Sequence, residues 1–560
     1  MRPGAPSHPP RRSGSGPLSS WLGRAALAAT LLALAGAAVP VQAGAQSARG
    51  QFRSARIPEP GELWMEVTPA FESWNAQYAL DSPLDTVPDG AEEPLSADVD
   101  GPVTERLYPG AGPFLAGLRQ DAQALGYDSL PGDEFSLGAL DVDRLHANRR
   151  QIPITAEFGV VGRISARITV PVVKAQTEAF FSYDSAGVSF APLGSVVASP
   201  GSFSAGWASA RDSLQARIDG GGLTAEERQQ AEALLQRSGA FLDAFTRRAE
   251  SNLLVPLAGS RAGGALTSTA DSIVAAFQQY GIAAPALGLD SVATGAALQS
   301  FFTGAMAADS LTGRDRGWSV EGVELGLRLN LLDTFRPVSD TAGGGLELRT
   351  TVGGAVRLPR GTAGAAPYVT PASFLDLPIS EGQTDVEVAL FQDLALGPLR
   401  LHARGRYGRQ LADELELRVH PPDRPFALPT TAVTVERDLG DYVQAHVSPR
   451  LALNEALSLG AEYSFWRKEA DRYALAGSPG GEGPQDASPL AVETSQRRHR
   501  LGVGFHYRAV GDSTREGDRP VELSFLFQTP VAGSGGQTPV SQLTTFRIRI
   551  PVGIPSLVGR

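Results

Sequence analysis

Arg400, His402, Arg404 and Arg406 stand at every second position of one short run, alternating with Leu399, Leu401, Ala403, Gly405 and Tyr407. Successive side chains of an extended strand point to opposite faces, so this run presents one cationic face and one apolar face. A row of guanidiniums can hold carboxylates or phosphates of a solute, or it can neutralise acids on neighbouring strands. Partners of the second kind are present in the chain. Arg163, Arg167, Arg328, Arg349, Arg357, Arg450, Arg500, Arg508, Arg547 and Arg549 occupy the polar phase of other alternating runs, and Glu157, Glu324, Glu347, Glu387, Glu462 and Glu522 share that phase. The candidate solute contacts are Arg328, Arg349, Arg400, His402, Arg404, Arg406, Arg500, His506, Arg547 and Arg549.

Catalytic patterns are weak by comparison. No G-x-S-x-G sequence occurs, and Gly511-Asp512-Ser513 sits in a polar predicted turn. His146, His402, His420, His446, His499 and His506 are scattered singly, without metal-ligand spacing. Asp98-Val99-Asp100 and Asp141-Val142-Asp143 could each offer oxygens to calcium, but neither continues into a ligand loop, so both read as solvated loop acids. Gly110-Ala111-Gly112 with Gly117 lacks the preceding apolar strand of a nucleotide site. The expectation is a non-enzyme with no cofactor and no metal.

The elements that must position the charged rows are strands. Val323, Leu325, Leu327, Leu329 and Leu331 oppose Glu324, Gly326, Arg328 and Asn330; Leu501, Val503, Phe505 and Tyr507 oppose Arg500, Gly502, Gly504, His506 and Arg508; Val521, Leu523, Phe525 and Phe527 oppose Glu522, Ser524 and Gln528. Similar runs near 63–79, 151–160, 163–182, 344–358, 384–395, 440–452, 457–470 and 541–552 bring the count to twelve, within a range of ten to fourteen. Segments 134–148 and 411–421 are candidates to extend the sheet. Tight links at Val161-Gly162, Leu396-Gly397-Pro398 and Asn454-Glu455-Ala456 alternate with long ones at 80–150, 183–317, 359–383, 411–439, 471–496 and 531–540. Short turns on one side and long loops on the other are the layout of an antiparallel transmembrane β-barrel, and even parity sends both termini to the periplasm. Trp64, Trp74, Tyr78, Phe180, Phe181, Tyr183, Trp318, Tyr442, Trp466 and Tyr507 lie near predicted strand ends, where interfacial aromatic girdles belong.

Within the long link 183–317, between Ser202 and Phe302, the period changes from 2 to about 3.6. Thr224-Ala225-Glu226-Glu227 fits a capping box, an apolar stripe of Leu234, Leu235, Phe241, Leu242 and Phe245 follows it, and further helices are expected over 267–282 and 290–306. This helix-rich insert in one long loop falls on the extracellular side by strand parity, either as a loop domain or folded back as a cap.

The ends and composition agree with export. Residues 1–45 carry Arg2, Arg11, Arg12 and Arg24, an apolar run from Ala25 to Val39 of about 15 residues, and the small-residue ending Ala43-Gly44-Ala45. They read as a signal peptide cleaved after Ala45, leaving 46–560 as the barrel. The chain has no cysteine, which rules out a lipidated anchor and a disulfide framework. Of 49 basic residues the leader takes four, so 45 remain against 60 acidic, and nucleic acid is not an expected partner.

The phrase Ile154 to Val173, a strand, a tight turn and a strand ending in Thr169-Val170-Pro171, resembles outer-membrane barrels assigned to transport in phenol degradation, which are similar to the long-chain fatty-acid channel superfamily. Gly61 to Pro69 resembles the first strand of other outer-membrane proteins from GC-rich bacteria. The resemblance covers about 60 residues and implies passive uptake of hydrophobic or aromatic molecules. The chain departs from it in lacking an Asn-Pro-Ala hatch, in its large insert, and in ending Gly559-Arg560 rather than on an aromatic residue; Phe546, Ile548 and Ile550 are the candidate internal assembly signal. The expectation is an outer-membrane channel for small, hydrophobic or anionic solutes, in contact with outer-membrane lipid and inserted by the barrel-assembly machinery. Two alternatives stand beside it: a closed structural or surface-recognition barrel, and a soluble secreted β protein.

Overall fold

The computed structural model describes residues 52–79, 90–97, 100–104, 107, 111–126, 135–192, 200–252, 254–290, 296, 315–335, 345–359, 382–420, 431–477, 486–509, 521–535 and 538–553. The expected leader and Gly110 lie outside them, as does the expected helix over 290–306 apart from Asp290 and Ala296, whereas Gly112 and Gly117 lie in a helix, Ala111–Gln120.

Twelve antiparallel strands follow one another around a closed sheet. They are β1 (Glu62–Val67 and Ala70–Trp74), β2 (Ala139–Val161), β3 (Ile164–Asp184), β4 (Asp315–Val320 and Gly322–Asp333), β5 (Glu347–Pro359), β6 (Asp385–Leu396), β7 (Leu399–Gln410), β8 (Tyr442–Ala452), β9 (Leu457–Lys468), β10 (Gln496–Arg508), β11 (Glu522–Ser534) and β12 (Gln542–Gly553). Each pairs with the next, and β12 closes on β1 in a register from Glu62↔Gly553 to Val67↔Ile548. Closure leaves no free edge, the condition for a sheet to sit in hydrocarbon.

The wall is inverted relative to a water-soluble protein. On β10, Val503 is 62% exposed and Arg500 is 2% exposed; on β4, Leu327 is 60% exposed and Arg328 is 3% exposed. The exposed band also includes Leu325, Leu329, Val386, Val388, Leu390, Val443 and Leu501. A contiguous apolar exterior around a polar interior is stable only in lipid. Most strands have 11 to 13 residues, a length that crosses roughly 30 Å once tilted. The chain is therefore a membrane-spanning β-barrel.

The tight links gather at one end. Gly162 and Gly397 take positive φ there, and Asn454 Oδ1 accepts the backbone N–H groups of Ala456 and Leu457 at 2.9 and 2.8 Å. The chain enters at the same end, where Gly61 N–H donates to Gly159 O.

At the opposite end β2 and β3, with 23 and 21 residues, run about ten residues beyond their neighbours. This is longer than the expected strand over 151–160, and it absorbs the segment 139–148. The overhang carries the helical insert. Leu140 of β2 and Phe181 and Tyr183 of β3 join the core of α1 (Ala111–Gln120), α2 (Ala122–Leu125), α3 (Pro200–Asp219), α4 (Ala225–Asn252) and α5 (Arg261–Gln279). Trp207 is fully buried at the centre, stacked on Phe241 at 5.0 Å, and donates its indole N–H to Pro285 O at 2.8 Å. The capping box forms as expected: Thr224 N–H donates to Glu227 Oε2 at 2.8 Å and Glu227 N–H to Thr224 Oγ1 at 3.2 Å.

Other expectations are corrected. Segment 411–421 does not extend the barrel; Asp413–Arg418 pairs with Ala432–Asp438, and that strand with Arg472–Leu475, in a small sheet with its own core of Leu415, Leu417 and Val435. The first strand breaks at Thr68-Pro69, because proline has no N–H for the ladder, and Ala76–Tyr78 leaves the barrel to pair with Glu92–Pro94. The aromatic girdle is only partly real. Phe180, Trp318 and Tyr507 face outward and are exposed, but Trp64, Tyr78, Tyr442 and Trp466 are buried. Trp64 shares the phase of Glu62 and Glu66, and Trp466 that of Ser464 and Lys468, so strand parity turns both rings inward.

Candidate functional site: the barrel lumen

The inward phase of the twelve strands builds a dense network of ion pairs. On one side Glu324 (β4) meets Arg167 (β3) at 2.5 Å and Arg357 (β5) at 3.8 Å. Arg357 also pairs with Asp385 and with Glu387 of β6, the latter at 2.6 Å. Glu387 in turn accepts from Arg406 of β7 at 3.0 Å and from the Tyr442 hydroxyl of β8 at 2.5 Å. Across the lumen Arg549 donates to Glu66 at 2.9 Å and to Glu522 at 3.2 Å, and Arg547 lies 3.5 Å from Glu522. Arg500 bonds Glu72 and Ser541. Charges with so little access to water are tolerated because each guanidinium finds carboxylates or hydroxyls in the adjacent strands.

Aromatic rings complete the lining. Arg328 stacks over Phe391 at 4.4 Å, Arg549 over Trp64 at 4.5 Å, and Arg498 over Trp466 at 5.3 Å. Desolvated cation–π contacts of this kind contribute about 2 kcal/mol each. They explain why the inward phase tolerates tryptophan.

Twelve strands enclose more space than side chains alone fill. Residues 52–56 occupy part of it. Phe52 O accepts from Arg547 Nη1 at 2.7 Å, Arg53 lies 3.5 Å from Glu324, and Ala55 N–H donates to Asp393 Oδ2 at 3.0 Å. Arg328 donates to the carbonyls of Ser54 and Arg56, and Thr351 to that of Ala55. This strap touches β3, β4, β5, β6, β11 and β12, at levels from the first residue of β11 to nine residues in from the tight-turn end of β4. Two small cavities flank it, of about 10 Å³ beside Phe52, Arg450 and His506 and about 20 Å³ beside Arg53, Arg328 and Arg404. Neither exceeds the space of a water or two. The large concavities, of about 960 and 830 Å³, are lined chiefly by outward residues such as Leu399, Leu401, Leu451 and Val503, or Leu327, Val388, Leu390 and Tyr407, and so belong to the lipid-facing wall.

The sequence candidates separate into two groups. Arg328, Arg404, Arg406, Arg500, Arg547 and Arg549 are buried in the lumen wall. Arg349, Arg400, His402 and His506 lie nearer the tight-turn mouth: Arg349 pairs with Asp333 at 2.6 Å, Arg400 is opposite Arg450, His402 Nδ1 is 2.8 Å from Asp393 Oδ1, and His506 Nδ1 is 2.9 Å from Ser524 Oγ. Arg163, expected inside, sits exposed at a turn and donates to Leu331 O at 3.0 Å. Of the calcium candidates, Asp100 accepts the Val142 N–H and Asp141 the Ser182 hydroxyl.

Sequence reasoning missed Glu66, Glu72, Asp385, Asp393 and Tyr442, although all five share the inward phase of their strands. The strap was invisible, because residues 52–56 have no periodicity of their own.

No protein-family model and no curated relative matches the sequence. Solved structures that align with it are outer-membrane barrels. An outer membrane channel from Pseudomonas putida F1 aligns over 89% of this chain and 97% of its own at 7% identity and a TM-score of 0.38. A FadL homologue from Pseudomonas aeruginosa aligns over 92% and 99% at 9% identity and 0.26. The transport unit of the autotransporter AIDA-I from Escherichia coli aligns over 91% and 96% at 6% identity and 0.28. Similarities this low carry no argument about what passes through the barrel.

Proposed function

We propose that the chain is an outer-membrane channel for small hydrophobic or anionic solutes, held closed at its periplasmic end by the strap of residues 52–56. The observation that carries this reading is the way the strap is held. It joins the wall through Gly61, and among the described residues its other polar contacts are hydrogen bonds and two ion pairs, Arg53–Glu324 and Arg56–Glu522, that can be exchanged for water or solute. Among the described residues the lumen also contains buried donors without a protein partner: the Nε of Arg328, Arg357 and Arg547 and the Nε1 of Trp466. Buried N–H groups of this kind call for water or a polar solute. Arg547 and Arg549, beside the strap, are the contacts through which an anionic group would compete with Glu66 and Glu522. Residues 1–45 act in this reading as the export signal, and the barrel-assembly machinery inserts the remainder.

The test is single-channel conductance in planar bilayers, comparing the wild type with a variant lacking 52–57. A nearly silent wild type and a steadily conducting deletion support the gated channel. Silence in both supports the second reading, a closed barrel whose extracellular helical insert recognises something outside; the continuous ion-pair network across β3 to β7 favours that reading.

A further inference from the structure

Arg167, Arg328, Arg357, Arg406, Arg500, Arg547 and Arg549 pair with acids inside the barrel, whereas two arginines on the outer wall do not. Arg467 of β9 and Arg497 of β10 are exposed, in phase with the lipid-facing residues Tyr463, Leu501 and Val503. They are direct cross-strand partners. Like charges opposed on one face of a sheet repel, which destabilises the pair unless an anion lies between them. Among the described residues neither has a carboxylate within ion-pair distance. Of the acids next along the sheet, Asp441 accepts the Tyr407 hydroxyl and Glu469 lies past the end of β9. A third exposed arginine, Arg409, stands at the same end of β7.

The depth of the pair identifies its partner. Along β10 the outward phase runs from Val503 and Leu501, both fully in the apolar band, through His499 to Arg497. Along β9 it runs through Tyr463 and Phe465 to Arg467. Tyr463 Oη is 2.7 Å from His499 Nδ1, and the Phe465 ring is 5.0 Å from the His499 ring. Hydrocarbon contacts thus give way to amphipathic rings and then to cations, the profile of a wall passing from acyl chains to headgroups. The end concerned is opposite the tight turns, the side of the extracellular leaflet. We infer that Arg467 and Arg497 together bind the phosphate of an anionic outer-leaflet lipid, whose acyl chains lie along Leu501 and Val503 and whose sugar or glycerol rests on Tyr463 and His499. Two guanidiniums on adjacent strands, with Cα atoms about 5 Å apart, can converge on one phosphate and so convert a repulsive pair into a binding site.

The experiment uses the full chain extracted in neutral detergent and native mass spectrometry with two added lipids, bis-phosphorylated lipid A and its dephosphorylated form. The wild type is expected to retain the phosphorylated lipid and not the other. The double variant Arg467→Gln/Arg497→Gln should lose at least ten-fold in retention while keeping its heat-modifiable mobility in gels, since removing opposed like charges costs the fold nothing. If the double variant does not fold, Arg497→Gln alone is measured against the same two lipids. Equal retention by variant and wild type overturns the inference, as does equal retention of both lipids by the wild type. Displacement of bound lipid by millimolar inorganic phosphate alone also overturns it, because the site would then recognise free phosphate rather than a lipid.

Discussion

Asp393 accepts the backbone N–H of Ala55 at 3.0 Å across 338 positions of sequence, and its other oxygen lies 2.8 Å from His402. One carboxylate on β6 thus joins the strap to the wall. Asp393→Ala removes the acceptor and leaves a buried N–H unsatisfied, a change of about 1–3 kcal/mol against the docked strap. The expected outcome is a roughly ten-fold rise in open probability in planar bilayers with the barrel still heat-modifiable. An unchanged conductance record would mean that the strap is not the gate.

Glu387 is the hub of the densest ion-pair cluster, touching Arg357, Arg406 and Tyr442. Glu387→Ala leaves two guanidiniums buried without this partner, and breaking a buried pair from one side costs about 3–5 kcal/mol. The temperature at which the compact gel band is lost should fall by several degrees. Paired replacement of Glu387 and Arg406 by glutamine and methionine should recover part of that loss, and a double-mutant cycle measures how much.

Gly408 faces Tyr442 across β7 and β8. A Cβ at Gly408 would lie 2.1 Å from Tyr442 Cζ, an atom of a rigid ring. Gly408→Ala must therefore push the ring away from Glu387, at a cost of about 1–3 kcal/mol. Tyr442→Ala combined with Gly408→Ala should be less destabilised than the sum of the single changes, by the same gel assay.

The helical insert supplies the pH dependence. The Thr224 backbone N–H and hydroxyl hold the Glu227 carboxyl below its ordinary value. A carboxyl lowered in the folded state stabilises the helix above the ordinary carboxylate range, and that contribution is lost as pH falls through the lowered value. Amide exchange at the start of α4 should accelerate under acid conditions; Thr224→Ala, which keeps the backbone donor and loses the hydroxyl, should weaken the pH dependence, and Glu227→Gln should abolish it. If exchange there is flat from neutral pH to acid, the capping box contributes nothing to the insert.

Trp207 anchors the same insert. Trp207→Ala removes a fully buried ring at a cost of about 3–5 kcal/mol. Added protease should then cut within 200–279 while the twelve-strand barrel remains resistant. Loss of both together would show that insert and wall fold as one unit.

The sequence by itself determined the barrel. Period-2 alternation places every second residue in lipid, so the twelve strands, their tight turns and the inward row of Arg404 and Arg406 followed from residue order alone. Parity should also have turned Trp64 and Trp466 inward; strand-end position was the weaker guide, because a ring stacked on a guanidinium is as stable inside as a ring at the interface. What the tertiary structure decided were contacts between distant segments. Which acid meets which arginine depends on register and barrel curvature, as with Glu72 and Arg500, 428 positions apart. The strap at 52–56 is placed by hydrogen bonds from its backbone, which any sequence can make, and the helical insert by the overhang of β2 and β3, whose length depends on how far two strands remain paired. Local pattern records solvent on each face; it holds no record of partners brought together only when the sheet closes.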